Sequence, residues 1–415
     1  MQAGAVLALM RSMRPRALLA CALVLGACTD SDPGDPEPAD TPCEIAASNA
    51  CADVAATASS ESGSSPSDGT VRLAPAQTYA AGTTPYYLTA ADLDADGVLD
   101  LVVSSPDDAG GQTTVDLLAG DGGGAFAMQN QVLTSAPGET VVSDVDGDGT
   151  VDVVGVAYDG QGALPAFHLH GQGAFGYAMT TWGEGRAFLA RLDAADFDED
   201  GALELVAPYA DPDNPIGGFV IVSSFAVVQD DPAFGPDTVA AIAGDVAGVG
   251  HADVIAASRT TSDVRVYTGD GTGTVTFAAQ VSLGGGAIRQ LAAIDLDADG
   301  SAELVALAAD GAVTVTAGLA SGSPASLQFA GGSSVRGIVA GDFDHDGRLD
   351  LAIGNAGNEI AVYLATNAGF ERGATLMLPD AWSSKDFAVG DFDGDGFDDL
   401  ASTTSGGVAV FRSTP

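Results

Sequence analysis

Basic residues are scarce. Only 14 of the 415 residues are Lys or Arg against 57 Asp or Glu, and Lys385 is the single lysine. A formal net charge of −43 makes nucleic acid and anionic membrane surfaces poor partners on electrostatic grounds. Catalytic signatures are equally thin. There is no Gly-x-Ser-x-Gly, no phosphate-cradling Gly-rich loop with a lysine, and no dinucleotide fingerprint in a βαβ setting. Amphipathic helix periodicity is missing, and beyond residue 27 no apolar run is long enough to cross a bilayer. Glycine, by contrast, is abundant at 55 residues, which points to many turns and short elements.

The abundant acid is not scattered. Asp-x-Asp-x-Asp-Gly-x-x-Asp/Glu, or a relative of it, begins at Asp92, Asp144, Asp196, Asp245, Asp295, Asp342 and Asp391, with starts 52, 52, 49, 50, 47 and 49 residues apart. A period near fifty is the signature of a repeat architecture. Six copies keep every acidic position. They supply Asp92, Asp94, Asp96 and Asp100; Asp144, Asp146, Asp148 and Asp152; Asp196, Asp198, Asp200 and Glu204; Asp295, Asp297, Asp299 and Glu303; Asp342, Asp344, Asp346 and Asp350; and Asp391, Asp393, Asp395 and Asp399. The fourth copy has Ala247 and Val249 at its two middle positions, so it is expected to bind nothing and to hold its shape by packing.

Three carboxylates at alternate positions, a glycine that permits a sharp turn and a fourth carboxylate suit a hard, oxygen-liking cation such as calcium. Without one, charges so close would repel strongly. An EF-hand needs a glutamate at position twelve. The six intact copies have Val103, Gly155, Ala207, Ala306, Ile353 and Ser402 there, so that reading fails.

Short β-branched runs bounded by Gly, Asp and Pro flank each acidic phrase and read as strands. A third strand follows in each repeat, and a fourth opens near Phe126, Phe175, Phe277 and Phe370. Four strands in each of seven repeats predict an all-β fold, a seven-bladed β-propeller of four-stranded blades. The last repeat has only two strands after its acidic phrase, while residues 71–80 offer one strand too many before the first. That N-terminal strand is expected to close the last blade and leave no unpaired edge.

Residues 71–415 resemble the FG-GAP/VCBS repeat family, which includes the propeller heads of integrin α-subunits. The resemblance implies structural calcium, about six ions, in the loop between the first two strands of each intact blade. The ligands would be the acidic residues named above, with a backbone carbonyl at position seven, such as that of Phe397, completing each set.

At the N-terminus, Arg11, Arg14 and Arg16 precede an apolar run from Ala17 to Ala27 and then Cys28. This reads as a lipoprotein-type signal over residues 1–27 with Cys28 lipidated. Export to the bacterial cell envelope, anchored in the outer membrane by lipid alone, follows; secretion is the alternative. Loss of residues 1–27 removes three Arg and no acid, taking the charge from −43 to −46. Residues 29–70 carry almost no large apolar side chain and read as a disordered tether reaching roughly 35–40 Å. Cys43 and Cys51 within it are expected to pair as a disulfide.

The four histidines add little chemistry. His345 and His251 are filler positions in acidic phrases. His168 and His170 alternate along one strand and have metal-ligand spacing, with no third ligand evident from sequence and surface or packing roles as the alternative. Trp182, Tyr209 and Trp382 are candidates for sugar stacking or for the core. The expected function is a non-catalytic binding or adhesion module for a polysaccharide or a protein, working as a monomer. The alternatives are a structural or assembly component of the envelope and a calcium-dependent polysaccharide lyase or hydrolase.

Overall fold

The structure, a computed structural model, describes residues 69–415 except 83, 106–112, 135–136, 158–165, 174, 183–186, 189–191, 211–216, 322–323, 333–334, 356 and 381–385. The signal, Cys28, Cys43, Cys51, Trp382 and Lys385 lie outside the described residues. Seven antiparallel sheets form seven blades, spanning residues 87–134, 137–182, 187–231, 238–282, 288–330, 335–377 and 387–411. Two single-turn 3-10 helices, Gly235–Asp237 and Leu319–Ser321, are the only helical segments among the described residues, and no helix is long and apolar enough to cross a membrane.

Innermost strands of successive blades touch one another around the ring, Tyr87–Ala91 meeting both Pro137–Ser143 and Phe387–Gly390. Six of the seven end in small residues, blade five ending in Ile294, because space shrinks toward the axis. Strand Val335–Gly341 shows the constraint: a Cβ at Gly341 would stand 2.8 Å from the Phe343 ring and 2.9 Å from Val389. In the third blade two described segments, Ala187–Phe188 and Asp193–Ala195, both pair with the strand Glu204–Ala210 on its inner side.

There is no single core. Strand alternation sends successive side chains to opposite faces of a blade, and both faces are covered. In the strand Asp100–Ser105, Leu101 and Val103 pack with Ala388, Phe392 and Val410 of blade seven, while Val102 packs with Val142, Val153 and Phe167 of blade two. Seven apolar clusters fill the seven interfaces between neighbouring blades. That is how a chain of this length escapes the limit on one growing core.

The ring closes as expected, with a shorter strand. Gln77–Ala80 pairs antiparallel with Gly407–Phe411 and becomes the outer strand of blade seven. Upstream, residues 71–76 run on as a looser strap, with a Leu73–Ser413 bridge and bonds from Arg72 N to Phe343 O and from Ala74 N to Arg412 O. Asp386 adds a further tie, its Oδ2 accepting from Leu88 N of blade one at 3.0 Å.

Candidate functional site

Each acidic phrase forms the loop between the innermost and second strands of its blade, so all seven gather at one face of the ring. The loops share one construction. The residue at position one folds the loop back on itself: Asp92 Oδ1 accepts from Asp96 N at 3.1 Å and Oδ2 from Gly97 N at 2.8 Å. Asp144, Asp196, Asp295, Asp342 and Asp391 repeat this. At position five, Asp96, Asp148, Asp200, Asp299, Asp346 and Asp395 each accept from the N–H two residues on. Position six has φ between 80° and 92° in all seven copies, the region that glycine alone enters without strain.

Position nine is the anchor. Asp350 Oδ2 accepts from Phe343 N at 3.0 Å and Oδ1 from Ala365 N at 2.8 Å, tying the loop to both its own start and the third strand. Asp100, Asp152 and Asp399 make the same pair of bonds, and Glu204 and Glu303 make the bond to position two. All six are buried. The other carboxylates of the loop weigh on the charge of this buried anchor. Burial, with neighbouring carboxylates adding to it, pushes Asp350 up to about 9, Glu303 to about 8, Glu204 and Asp399 to about 7 and Asp100 to about 6.

Two features of the loop escaped the sequence reading. Position two is an apolar plug: Leu93, Val145, Phe197, Val246, Leu296, Phe343 and Phe392 are all buried in the blade interfaces. Position four takes a left-handed conformation in every copy, with Ala95, Glu199, Ala298 and His345 joining Gly147, Gly248 and Gly394 at φ between 55° and 75°. The plug was visible as an apolar residue between two aspartates in six phrases and after the first aspartate in the fourth. The left-handed position had no signal, since four of its occupants are not glycine.

The fourth loop corrects one expectation. It keeps its shape by hydrogen bonds as well as packing, because Asp245 and Asp253 survive. Asp245 accepts from Val249 N and Gly250 N at 3.0 and 2.7 Å, and Asp253 from Ala247 N and Gly269 N at 2.8 and 3.0 Å. Neighbouring blades then brace the loops. Gly124 N of blade one donates to Phe392 O, and Gly273 N of blade four to Phe197 O. His345 is more than filler: it stacks on Phe397 with centroids 3.8 Å apart, and its Nε2 lies 2.7 Å from Ser413 Oγ. His251 reaches across to Glu199 of the third loop.

The donor set fits a hard cation. Carboxylate oxygens of Asp92, Asp94 and Asp96 lie within 4.8 Å of one another, as do those of Asp144, Asp146 and Asp148, of Asp196, Asp198 and Glu204, and of Asp295, Asp297 and Asp299. In the last loop Asp393 Oδ1 is buried and has no hydrogen-bond partner. Such oxygen-only groups match calcium rather than a softer ion.

Outside the acidic loops, Tyr209 is 7% exposed and its hydroxyl donates to Asp230 Oδ1 at 2.7 Å, so it is a core residue and not a stacking platform. Trp182 ends the strand Tyr177–Trp182. His168 and His170 both reach the loop of blade two.

No curated protein matches the chain. Among solved structures, the BBS1N chain of its complex with ARL6DN, from crystals soaked with lead, superposes with a TM-score of 0.59 at 12% identity, over 83% of this chain and 98% of that one. The mercury-soaked form of the same complex gives 0.59 at 12% identity, over 82% and 96%. Raptor from Chaetomium thermophilum gives 0.56 at 12% identity, covering 83% of this chain and 30% of that one. At such identity these likenesses establish the fold alone. The FG-GAP-like repeat model matches residues 144–207, 245–306, 295–353 and 342–402, more than half of the chain and in phase with the acidic loops. The chain therefore belongs to the FG-GAP-like repeat family.

Proposed function

We propose that the chain is a calcium-stabilised, extracytoplasmic β-propeller that acts as a non-catalytic binding or adhesion module for a polysaccharide or a protein. The observation that carries the calcium part is the convergence of carboxylates in the loops, with Asp393 Oδ1 buried and unbonded. Calcium would be held by the acidic residues at positions one, three, five and nine, with a backbone carbonyl at position seven. Its chemistry there is to neutralise clustered charge. The chain's own residues do the rest: position one shapes the loop, position nine ties it to the third strand, and position two plugs it into the blade interface. A cation that binds the native state and not the unfolded one raises stability with its concentration.

Location in the envelope rests on the sequence of residues 11–28, and the propeller would then be a monomer held to the membrane by lipid only. The full chain, loaded with calcium, is to be passed over immobilised polysaccharides, scoring both retention and released product. Retention without product, lost in chelator, supports the binding module. Released product overturns the non-catalytic reading. Neither retention nor product moves the function to a protein partner or an envelope scaffold, which cross-linking in the native cell would then separate.

A further inference from the structure

In the second blade the acidic loop is met by nitrogen. His168 and His170 lie two residues apart on the strand Ala166–Gly171, so their rings leave the same face of the sheet. The register sets His168 opposite Val154, whose side chain packs toward blade three, and so two residues along from Asp152. As a result His168 Nε2 stands 3.1 Å from Asp152 Oδ2, and His170 Nδ1 stands 3.0 Å from Asp146 Oδ2 and 3.5 Å from Asp152 Oδ1. One donor atom from each of these four residues falls within 4.8 Å of all the others. No other acidic loop among the described residues gathers two imidazoles.

Four potential ligand atoms are thus gathered in one place. His168 is only 4% exposed, yet its Nε2 makes no hydrogen bond, and neither does the buried His170 Nδ1. Buried polar nitrogens left this way are rare and costly. Asp152 does not need the imidazoles to be held, because its oxygens already accept from Val145 N at 3.2 Å and Gly171 N at 2.7 Å. Four ligands about 2.0–2.2 Å from a tetrahedral ion would sit roughly 3.3–3.6 Å apart. The nitrogen–oxygen spacings are 3.0–3.5 Å and every other pair of the four lies within 4.8 Å, so a bound cation needs the donors to draw in only modestly.

Blade three covers the cluster. Phe225 lies over His168 with ring centroids 4.5 Å apart and planes at 30°. It is carried there by a turn in which Ser224 and Phe225 have φ of 45° and 63°. Two successive left-handed positions ordinarily fall to Asn or Gly, so this turn is strained for the side chain it places. The outcome is an apolar wall on the imidazole side, which limits water.

We propose that the loop of blade two is a site for a borderline first-row divalent cation, with zinc as the reference ion, held by Asp146, Asp152, His168 and His170. Imidazole nitrogen favours such ions over calcium, which keeps to oxygen ligands. Because Asp146 belongs to both donor sets, zinc displaces calcium from this loop. The site stands independently of calcium in the other loops and of the polysaccharide reading.

The test is a zinc titration of the full chain, its cysteines alkylated, in millimolar calcium, followed by calorimetry. Cobalt(II) replaces zinc for a visible-absorption readout. One equivalent of zinc and one cobalt d–d band are expected. His170→Asn should weaken zinc at least tenfold and abolish the band while leaving the calcium-dependent rise in melting temperature in place. His170 is about one-third exposed, so this variant is expected to fold, with circular dichroism as the check. His168→Gln should act in the same direction. No stoichiometric zinc, zinc binding unchanged by His170→Asn, or complete displacement by millimolar calcium would each overturn the proposal. An imidazolium pair that merely neutralises the loop takes up no zinc and so falls on that side.

Discussion

Asp253 separates the two duties of the acidic loops. It sits at position nine of the one copy whose middle positions are Ala247 and Val249, so no cation accounts for its retention. It is fully buried and accepts from Ala247 N and Gly269 N. In Asp253→Ala both donors lose their acceptor. A buried N–H left unpaired costs about 1–3 kcal/mol. Here both donor residues are half-buried, so water recovers part of the loss and about 2–4 kcal/mol is expected. With about 2.1 cal/mol/K of unfolding entropy per residue over roughly 345 residues, that lowers the melting temperature by about 3–6 °C.

The drop should be equal in calcium and in chelator, read by calorimetry at two scan rates. The same change at Asp350, whose two donors are buried, should cost more even in chelator. Asp253→Asn keeps one acceptor oxygen and removes a buried charge. Burial pushes the Asp253 carboxyl up to about 6, above its unfolded value, so the wild-type carboxylate contributes less as pH rises through that range. The gap between wild type and Asp253→Asn should therefore narrow from pH 5 to pH 8. A melting temperature for Asp253→Ala within 1 °C of wild type, or a loss confined to calcium-loaded protein, would refute the hydrogen-bond account of position nine.

The calcium-loaded chain should melt above the chelated one, and Asp344→Asn with Asp346→Asn should remove part of that difference. Identical melting curves in chelator and in calcium would end the calcium reading. In chelator the folded pKa values of Asp399, Glu303 and Asp350, about 7, 8 and 9, lie above the unfolded ones. The folded state then holds the extra protons, and stability should fall as pH rises from about 5 to 9. Calcium releases those protons and should flatten the slope; a chelated protein whose stability climbs toward pH 9 would contradict this. Deleting residues 71–80 exposes the strand Gly407–Phe411 as an edge and should give an aggregating protein, whereas a monomer with wild-type melting would count against closure by that strand.

Much of this was legible in the sequence for one physical reason: the informative unit repeats. The fifty-residue period fixed seven blades, the spacing of carboxylates fixed the loop, and counting strands at both ends gave the closure by a strand within residues 71–80, of which Gln77–Ala80 makes the pairing. What was not legible depends on contacts between segments distant in sequence. Position nine reads as one more carboxylate of the loop until the third strand lies alongside and Ala365 N or Gly120 N turns toward it. The shared left-handed φ at position four is a property of the closed loop, indifferent to whether Ala95, His345 or Gly394 occupies it. Tyr209 stayed open between stacking platform and core because nothing local announces Asp230 as the partner of its hydroxyl.

The same reasoning explains why the histidine pair had no visible third ligand. Asp146 and Asp152 precede His168 by 22 and 16 residues, a separation that matches no compact metal motif. Only the antiparallel register of the second and third strands converts it into adjacency. A propeller blade does this wherever a loop carboxylate at the start of its second strand faces the end of its third. The corresponding third-strand positions in the other blades hold residues such as Leu117 and Ala119, or Val266 and Thr268, which offer no imidazole. Blade two is therefore the place where substitution at two positions on a third strand changes the donor chemistry of a loop without changing the fold. The converse substitution makes the point testable. Replacing Leu117 and Ala119 of blade one by histidine places two imidazoles beside Asp100 in an otherwise intact acidic loop. If register alone sets the donor geometry, that variant should bind a second equivalent of cobalt with a proportionate rise in d–d absorbance; a folded variant that binds one equivalent would show that the Phe225 wall is also required.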